Sequence, residues 1–312
     1  MKIIFFAKGR RGLMCLKRVV AERLNVSMVV LQTEDLLIEE FTDIANACGA
    51  EVFVPEDPNE SSVLQALAMQ EADVFVLAGY GLILKKQCIA VPKLRCINLH
   101  GGLLPEYRGS SPMNWALINN EPIIGVSIIE VDQGIDTGAV LSEEQMEVDP
   151  NTTIADVHDW ANHQFPDMLI RVLQEIKKDD CYSRVQNEEK ACYYPRRFPD
   201  DGLVLWDQLS AIQVHNHIRG LTKPYPCAYT YYGKRQVRLV ASRLSQTPVC
   251  GESGRIYRKA AGSLLVGASD QAIWITEAEF VDDGSPLYGV VERYDRLATI
   301  REAATNFYCN LD

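Results

Sequence analysis

Histidine is scarce in this sequence, and cysteine never occurs in a pattern typical of metal or redox sites. Five of the 312 residues are histidine, and four of them lie on stretches that we predict to be helical. The cysteines are odd in number and none has C-x-x-C spacing. We therefore expect reduced thiols in a cytoplasmic protein and no metal site. The nine are Cys15, Cys48, Cys88, Cys96, Cys181, Cys192, Cys227, Cys250 and Cys309.

Long apolar runs and an excess of positive charge are also absent. No run approaches the ~20 residues that span a bilayer, and the apolar opening reaches Lys8 too soon for a signal peptide, so we expect no membrane partner. The chain carries 31 basic and 42 acidic residues, a net charge of −11. Binding nucleic acid through its phosphates requires a basic face, so this balance disfavours a nucleic-acid partner. It leaves room for a local basic pocket that takes a small phosphorylated ligand.

The first half of the sequence alternates short β-branched runs with stretches of helical length. Hydrophobic residues make up 47% and charged residues 23%, as in ordinary globular proteins. This alternation predicts an α/β domain with a mostly parallel sheet. Predicted strands cover residues 2–6, 26–31, 51–54, 73–78 and 95–99, and predicted helices cover 13–24, 38–48 and 61–70. We also predict a glycine-bearing turn at residues 8–12, and Ser61 or Ser62 as a helix cap.

Further along, the pattern predicts an antiparallel strand pair at residues 125–131 and 139–141, followed by a long helix. Thr152 and Thr153 are candidate caps of that helix, and its apolar residues recur every three to four positions up to Ile176. Pro166 lies within the pattern, so we expect either a kinked helix or two shorter ones.

The composition changes near residues 186–202, where prolines and charges concentrate. We predict a first domain at 1–190, a linker at 191–205 and a second domain at 206–312. The second domain has one predicted helix, at 211–220. Five short predicted strands follow at 228–232, 236–244, 254–258, 263–266 and 272–277, which is typical of a small OB-like β-barrel.

His100 is the histidine best placed for chemistry. It ends a buried strand that we expect to open at the carboxyl edge of the sheet, where ligands bind in such folds. Strand alternation places Asn98 on the same face. A carboxamide and an imidazole side by side can stabilise an oxyanion and manage a proton. The structural alternative is a histidine satisfied at the strand end beside an asparagine that caps the loop.

Two loops are further candidates for a site. The segment from Asp132 to Gly138 holds two aspartates and two glycines, which suits either an ordinary hairpin loop or a backbone-lined ligand site. In the second case one aspartate could orient His100. The segment from Leu77 to Leu84 is either a simple strand-to-helix connection or an apolar slot for a planar heterocycle.

Three motifs together resemble the folate-dependent formyltransferase family. They are NLHGGLLPEYRGSSPMNWAL from Asn98, GVSIIEVDQGIDTGAVL from Gly125 and LAGYGLIL from Leu77. The resemblance implies a Rossmann-like catalytic domain that transfers a formyl group from 10-formyltetrahydrofolate to an amine. It also implies Asn98, His100 and Asp136 as the catalytic residues, and a cis peptide bond at Leu104–Pro105.

The same resemblance implies the residues that hold the folate. Seven residues on two loops would line its pocket, largely through backbone groups: Leu82, Ile83, Leu84, Asp132, Gln133, Gly134 and Ile135. Gly102, expected to contact substrate, stands where the family often has serine.

The family contains branches with different acceptors. The segment from Ile218 to Leu239 is similar to the second domain of methionyl-tRNA formyltransferases, and residues 111–115 are similar to nucleotide-sugar N-formyltransferases. The tRNA branch carries a basic insertion after the second strand, whereas the equivalent segment here, Thr33–Glu40, is acidic. We therefore expect a nucleotide-linked aminosugar as the acceptor, with methionyl-tRNA as the alternative. A folate-binding pseudoenzyme or regulatory module is the alternative of another class.

The resemblance implies direct acyl transfer without a covalent enzyme intermediate. Asn98, with His100 if protonated, would donate to the tetrahedral oxyanion, and Asp136 would pair with His100 and help the amine lose its proton. Whether His100 or Asp136 takes that proton stays open. We expect no thiol nucleophile, although Cys96 is predicted to share the face of Asn98.

Two further expectations concern binding partners. Lys8, Arg10 and Arg11 lie at the predicted start of the first helix, where amides and positive charge favour the phosphates of a nucleotide sugar. The alternative is that these are solvated surface charges, with Arg108 and the Arg196–Arg197 pair as other anchors. Aromatic residues of the second domain are either core residues, a base-stacking surface or the contact of a homodimer.

Overall fold

The computed structural model describes residues 1–299, so Cys309 and the end of the predicted second domain lie outside the described residues. Two compact units are present. Among the described residues, the first holds 1–112, 123–146 and 158–195, and the second holds 113–122, 147–157 and 196–299. Because two inner segments belong to the second unit, the division does not fall at one point of the chain. The proposed domain limits at 190 and 206 stay a prediction.

Seven α-helices and fourteen strands occur among the described residues. The helices are α1 Gly9–Ala21, α2 Ile38–Cys48, α3 Ser61–Met69, α4 Lys86–Ile89, α5 Pro112–Ile118, α6 Ile154–Lys178 and α7 Ala211–Leu221. The strands are β1 Lys2–Ala7, β2 Asn25–Val30, β3 Glu51–Phe53, β4 Val74–Ala78, β5 Arg95–His100, β6 Arg108–Gly109, β7 Ile123–Glu130, β8 Val140–Glu147, β9 Tyr193–Tyr194, β10 Ala228–Tyr232, β11 Arg235–Leu244, β12 Ile256–Ala260, β13 Ser263–Gly267 and β14 Ala272–Phe280.

The first unit contains a seven-stranded sheet in the order β3-β2-β1-β4-β5-β7-β8. The first five strands in this order, β3, β2, β1, β4 and β5, run parallel to one another. Strand β7 pairs antiparallel with β5. The α/β, mostly parallel sheet predicted from the sequence is therefore confirmed. The chain moves outward from β1 to β3 and then returns to β4, so the strand order reverses between β1 and β4. Their carboxyl ends form the crevice where such sheets bind ligands.

The start of α1 differs from the prediction. The helix begins at Gly9, so the expected turn at residues 8–12 is its first turn. Gly12 is buried, and a Cβ atom there would lie 2.7 Å from the Ala78 carbonyl oxygen. The glycine therefore allows α1 to pack closely against the end of β4. The sequence alone suits a glycine in a turn equally well.

Two helix details correct the sequence interpretation. The N-cap of α3 is Glu60, without a side-chain cap, and both Ser61 and Ser62 lie within the helix. Helix α6 continues as one helix through Pro166, so the alternative of two shorter helices is wrong. Phe165 and Met168, on either side of the proline, are fully buried. Their burial offsets the backbone hydrogen bond that proline cannot make.

The second unit contains a five-stranded sheet in the order β10-β11-β14-β13-β12, with antiparallel pairings throughout. All five predicted strands are present, within a few residues of their predicted limits. The core around this sheet includes Trp206, which has no solvent exposure. Its indole N–H donates to the Thr230 hydroxyl at 2.9 Å, so the buried polar group is satisfied.

Replacing Thr230 with valine is expected to destabilise the second unit by about 1–3 kcal/mol, because the buried indole N–H loses its acceptor. Thr230 is itself fully buried, so water cannot take its place. Denaturant unfolding followed by tryptophan fluorescence measures the change. Thr247→Val, at an exposed loop position, is the control and should leave the unfolding midpoint unchanged. An unchanged midpoint for both variants would contradict the assigned hydrogen bond.

None of the helices among residues 1–299 is long and apolar enough to span a membrane.

Candidate functional site

Strand β5 places Asn98 and His100 at its carboxyl end. Asn98 pairs with Leu77 of β4 and with Ile129 of β7, and His100 pairs with Ser127. The two side chains lie on one face, about 7 Å apart along the strand. His100 is 5% exposed, whereas Asn98 is half-buried. No group of residues 1–299 forms a hydrogen bond with the Asn98 carboxamide, so its N–H groups are free to meet a ligand.

The imidazole of His100 lies between two oxygen acceptors. Its Nε2 is 2.6 Å from the carbonyl oxygen of Tyr107, which requires Nε2–H as the donor. Its Nδ1 is 3.5 Å from Asp136 Oδ1. The ring therefore lies between the Tyr107 carbonyl and the Asp136 carboxylate, with Nδ1 on the side of the carboxylate.

Asp136 is positioned by the loop between β7 and β8. Its φ angle is 54°, in the left-handed region that non-glycine residues seldom adopt. The Gly109 amide donates to its Oδ2 at 2.8 Å, and Oδ1 faces His100. The nearby Gly138 must be glycine, because a Cβ atom there would overlap the Glu130 carbonyl. The loop thus turns the Asp136 carboxylate toward β5.

The other aspartate of this loop stabilises the turn. The Gly134 amide and the Thr137 hydroxyl both donate to Asp132 Oδ1, as in an ordinary Asx turn. The hairpin interpretation therefore applies to Asp132, and the interpretation as a partner of His100 applies to Asp136. The two roles that the sequence left open belong to different residues.

The residues predicted to hold folate flank one apolar cluster. Leu84 is buried in this cluster with Cys88 and Cys96, and Leu82 and Val131 pack against it. The first loop therefore meets this cluster directly, and the second loop adjoins it only through Val131, the residue before it. Ile83 is 74% exposed, and Asp132, Gln133, Gly134 and Ile135 are also exposed. Their folate contacts stay a prediction.

A cavity of about 390 Å³ lies at the opposite end of β5. Arg95 and Glu130, which form an ion pair, line it together with Lys93 and Asp179. Neither Asn98, His100 nor Asp136 contributes to its wall. We therefore place the candidate site at His100 and not in this cavity.

Burial makes the cysteines near the sheet poor nucleophiles. Desolvation raises the pKa of the Cys96 thiol far above its ordinary value, and it raises the pKa of Cys88 to about 12. Both thiols stay protonated at neutral pH, and only the thiolate is a strong nucleophile. These two positions therefore favour direct transfer over a thioester intermediate.

The predicted phosphate site at the start of α1 already holds a carboxylate. The Gly9 amide donates to Asp35 Oδ2 at 2.8 Å, and Asp35 is buried. Arg10 pairs with Asp159 at 2.9 Å, and the Arg11 guanidinium lies 4.8 Å above the Phe165 ring. Binding of a phosphate by the Gly9 amide requires Asp35 to move. The roles of Lys8, Arg10 and Arg11 stay a prediction.

The other proposed anchors are also engaged within the protein. Arg108 is fully buried and donates to Gln186, Glu188 and Tyr193. In the second unit, the Arg197 guanidinium lies 4.6 Å above the ring of Trp115. Arg108 is therefore unavailable to an incoming phosphate.

Gly102 has a packing role that explains the absence of serine. A Cβ atom there would lie 2.8 Å from the Tyr107 carbonyl oxygen and 2.9 Å from the Pro112 Cβ. The same Tyr107 carbonyl accepts from His100. Glycine at 102 therefore allows the close approach that positions His100, and its predicted contact with substrate would be through backbone only.

Three of the remaining histidines are buried or hydrogen-bonded away from His100. Desolvation lowers the pKa of His158 and that of His217 to about 4. His215 lies between the Ser242 hydroxyl and the Pro150 carbonyl. Burial and these contacts account for the three rings without a role at the candidate site. No cluster of metal-ligating residues occurs in the part of the chain that the structure describes.

Sequence reasoning missed the contribution of the segment after α6. Gln186 donates to the carbonyls of Asp136 and Gly138, and Tyr194 stacks on Tyr107 with ring centroids 4.9 Å apart. The segment looked like a charged linker, and no periodicity marked these residues. The structure identifies Gln186 by its burial and Tyr194 by its ring contact.

The sheet topology, the His100–Asp136 pair and the cis peptide bond expected at Leu104–Pro105 now occur together in one unit. The family model of formyl transferase matches residues 1–173, and that of the formyl transferase C-terminal domain matches residues 198–284. The chain belongs to the formyltransferase family. The resemblance drawn from the three motifs is confirmed, and with it membership of a family of one-carbon transferases.

Relatives by sequence and by structure carry different names. Methionyl-tRNA formyltransferases of Clostridium acetobutylicum and Acetivibrio thermocellus are 29% and 30% identical over 288 residues, covering 90% of this chain and 92% of each relative. The sugar 3N-formyl transferase WlaRD, solved with dTDP and 5-N-formyl-THF, gives a TM-score of 0.69 at 17% identity. That alignment covers 91% of this chain and 98% of WlaRD.

A second sugar enzyme has a similar fold. The N-formyltransferase of Helicobacter canadensis, in complex with folinic acid and dTDP-3-aminofucose, gives a TM-score of 0.67 at 18% identity. The alignment covers 88% of this chain and 97% of the Helicobacter canadensis enzyme. At these identities the structural likeness shows the fold alone.

Proposed function

We propose that this formyltransferase moves the formyl group of 10-formyltetrahydrofolate to the amine of a nucleotide-linked aminosugar. The observation that carries formyl transfer is the cluster of Asn98, His100 and Asp136 at the carboxyl end of β5. It brings together a free carboxamide, an imidazole and a carboxylate, the groups that acyl transfer to an amine requires.

The reaction follows from what each group can do. The neutral amine attacks the formyl carbon, and the carbonyl oxygen becomes a tetrahedral oxyanion. The Asn98 carboxamide donates to that oxyanion, while the His100–Asp136 pair takes part in moving the amine proton. The bond between the formyl carbon and N10 of the folate then breaks, and a proton ends on N10. The new N–C bond remains in the formamide.

The folate position is inferred from the apolar cluster beside the two loops. A planar pteridine fits an apolar surface edged by backbone groups, and Leu84 and Val131 provide such a surface here. Two structural neighbours were solved with formylated folates, which supports a folate as the formyl donor.

The charge distribution favours a small acceptor. Residues 1–195 hold 17 basic and 29 acidic side chains, a net charge of −12, and the rest of the chain is close to neutral. Two basic side chains of the second unit are paired with carboxylates, Arg235 with Asp282 and Arg238 with Glu279. This overall charge disfavours a transfer RNA, which binds through many phosphate contacts. A nucleotide sugar needs only a few contacts.

Methionyl-tRNA is the second candidate acceptor. The observation in its favour is the sequence identity of 28–31% to relatives named methionyl-tRNA formyltransferase. The acidic segment from Thr33 to Glu40 opposes it, because that segment turns Asp35 inward onto Gly9 and presents further acidic side chains outward.

Incubating the protein with 10-formyltetrahydrofolate and a panel of acceptors tests the proposal. The panel holds dTDP- and UDP-linked aminosugars and methionyl-tRNA, and mass spectrometry detects the added formyl group. We expect turnover with at least one nucleotide aminosugar and only background with the tRNA. The matched hydroxyl sugar, which lacks the amine, is the control.

The other outcomes identify the alternatives. Formylation of methionyl-tRNA alone, with a KM that rises steeply with salt, would establish the second candidate. Binding of the folate by calorimetry, without turnover of any acceptor, would identify a binding module.

A further inference from the structure

The chain that follows α6 returns to the candidate site and runs along it from Arg184 to Tyr194. The Val140 amide donates to the Arg184 carbonyl, and β9 pairs in parallel with β6. We refer to residues 184–194 as the strap. Its burial is uneven: most of its residues are exposed, but Gln186 is 6% exposed.

The Gln186 side chain uses both ends of its carboxamide. Its Nε2 donates to the Asp136 carbonyl at 2.8 Å and to the Gly138 carbonyl at 2.7 Å. Its Oε1 accepts from Arg108 Nε at 3.0 Å and from Nη2 at 2.9 Å. This pattern fixes the orientation of the Gln186 carboxamide. If the carboxamide were flipped, its NH₂ group would meet the guanidinium and its oxygen would meet two carbonyl oxygens, and neither contact is a hydrogen bond.

Arg108 in turn is held from the other side. Its Nη1 and Nη2 donate to the two carboxylate oxygens of Glu188 at 2.9 and 2.6 Å, and Nη1 also donates to the Tyr193 hydroxyl at 2.8 Å. The guanidinium has no solvent exposure. The guanidinium that Gln186 contacts therefore has acceptors for all of its N–H groups.

The residue that Gln186 contacts is the one in a disfavoured backbone conformation. Asp136 has φ of 54°, and such a conformation persists only where its surroundings impose it. Two contacts act on Asp136: the Gln186 amide on its carbonyl, and the Gly109 amide on its carboxylate. With one removed, the loop is free to relax, and the carboxylate moves relative to His100.

We propose that Gln186 is a positioning residue that holds the backbone of Asp136 in its left-handed conformation and thereby sets the Asp136 carboxylate against His100. Its effect on turnover rests on the proposed function, whereas its effect on the geometry of the pair does not.

Two variants test the role in turnover. Gln186→Glu keeps the size and the pairing with Arg108 but removes the NH₂ donor, and Gln186→Met removes all four hydrogen bonds. We expect both to lower kcat about tenfold to a hundredfold, because small displacements of catalytic groups have effects of this size. The KM for the folate and for the acceptor should stay within about twofold. Gln65→Glu, on the exposed face of α3, is the control for the added charge and should behave as wild type.

A spectroscopic measurement tests the geometry without reference to turnover. The ring-proton resonances of His100 are assigned by their absence from the spectrum of His100→Gln. In folded Gln186→Met they should move toward their positions in Asp136→Asn, and in Gln65→Glu they should not move. If they stay at the wild-type positions in Gln186→Met, the proposal is wrong, whether or not the wild-type protein transfers formyl groups.

The kinetic result gives an independent check. An unchanged kcat in both Gln186 variants overturns the proposal, and so does a fall that only matches the loss of folded protein by circular dichroism. A wild-type protein that is inactive with every acceptor overturns the proposed function alone, because the resonances of His100 still report on Gln186.

Discussion

Asp136→Asn is expected to lower kcat about a hundredfold or more while the protein keeps its fold. Asparagine retains an oxygen that can accept from the Gly109 amide, so the loop contact at 2.8 Å survives. The negative charge opposite His100 Nδ1 is lost, so the imidazole loses its carboxylate partner. General acid–base groups contribute about 10² to 10⁴ in rate, which sets the expected size. Steady-state kinetics with the acceptor identified by the panel measures it.

A matched control separates this effect from a general loss of surface charge. Asp167→Asn removes an exposed aspartate that pairs with Arg18 at 3.0 Å, and it should leave kcat unchanged. The double variant Asp136→Asn with His100→Ala should be little slower than either single variant, because groups that act as a unit have non-additive effects. Full additivity would mean that the two residues act independently, contrary to the geometry.

The parts of this fold that depend on local pattern were accessible from the sequence. Strands β1 and β4 are short and apolar on both faces, since helices cover a parallel sheet, and such runs stand out between helical stretches. Asn98 and His100 were placed on one face by strand alternation alone. Neither prediction required knowledge of any residue far along the chain.

The role of Asp136 could not be predicted from the local sequence pattern. It lies 36 positions after His100, and the loop composition allowed either a hairpin turn or a partner of the histidine. The resemblance to the family selected Asp136, and the structure shows why Asp132 is different: Asp132 is used by its own turn. That choice depends on backbone angles that composition does not encode.

Gln186, Asp35 and Arg108 were beyond sequence reasoning for a shared physical reason. Each is a polar residue in a polar stretch, and each is buried by a contact with a residue at least 26 positions away. Each of them matters because it forms hydrogen bonds with residues that are distant in sequence. Such contacts leave no periodic pattern in the sequence. Arg108 is one of the alternative phosphate anchors suggested by the sequence, and the structure buries it completely.

Asn98→Ala is expected to lower kcat by about 10² to 10³, the usual effect of removing one donor to a developing oxyanion. The reason lies in the pairing of β5. Asn98 is held between β4 and β7, so its backbone is fixed on both sides. Its half-buried carboxamide forms no hydrogen bond within residues 1–299 and is therefore not needed to stabilise the strand. The truncated protein should fold normally, and only the transition state should lose a contact.

The division between kcat and KM makes this prediction specific. A donor that acts on the oxyanion contacts a charge that is absent from the ground state, so the KM of both substrates should change little. Asn46→Ala, at an exposed position of α2, is the control for the loss of a carboxamide. Asn98→Asp keeps the size but places a carboxylate where the oxyanion forms, so it should be slower than Asn98→Ala. If Asn98→Ala raises KM and leaves kcat unchanged, Asn98 binds a ground-state group and does not stabilise the oxyanion.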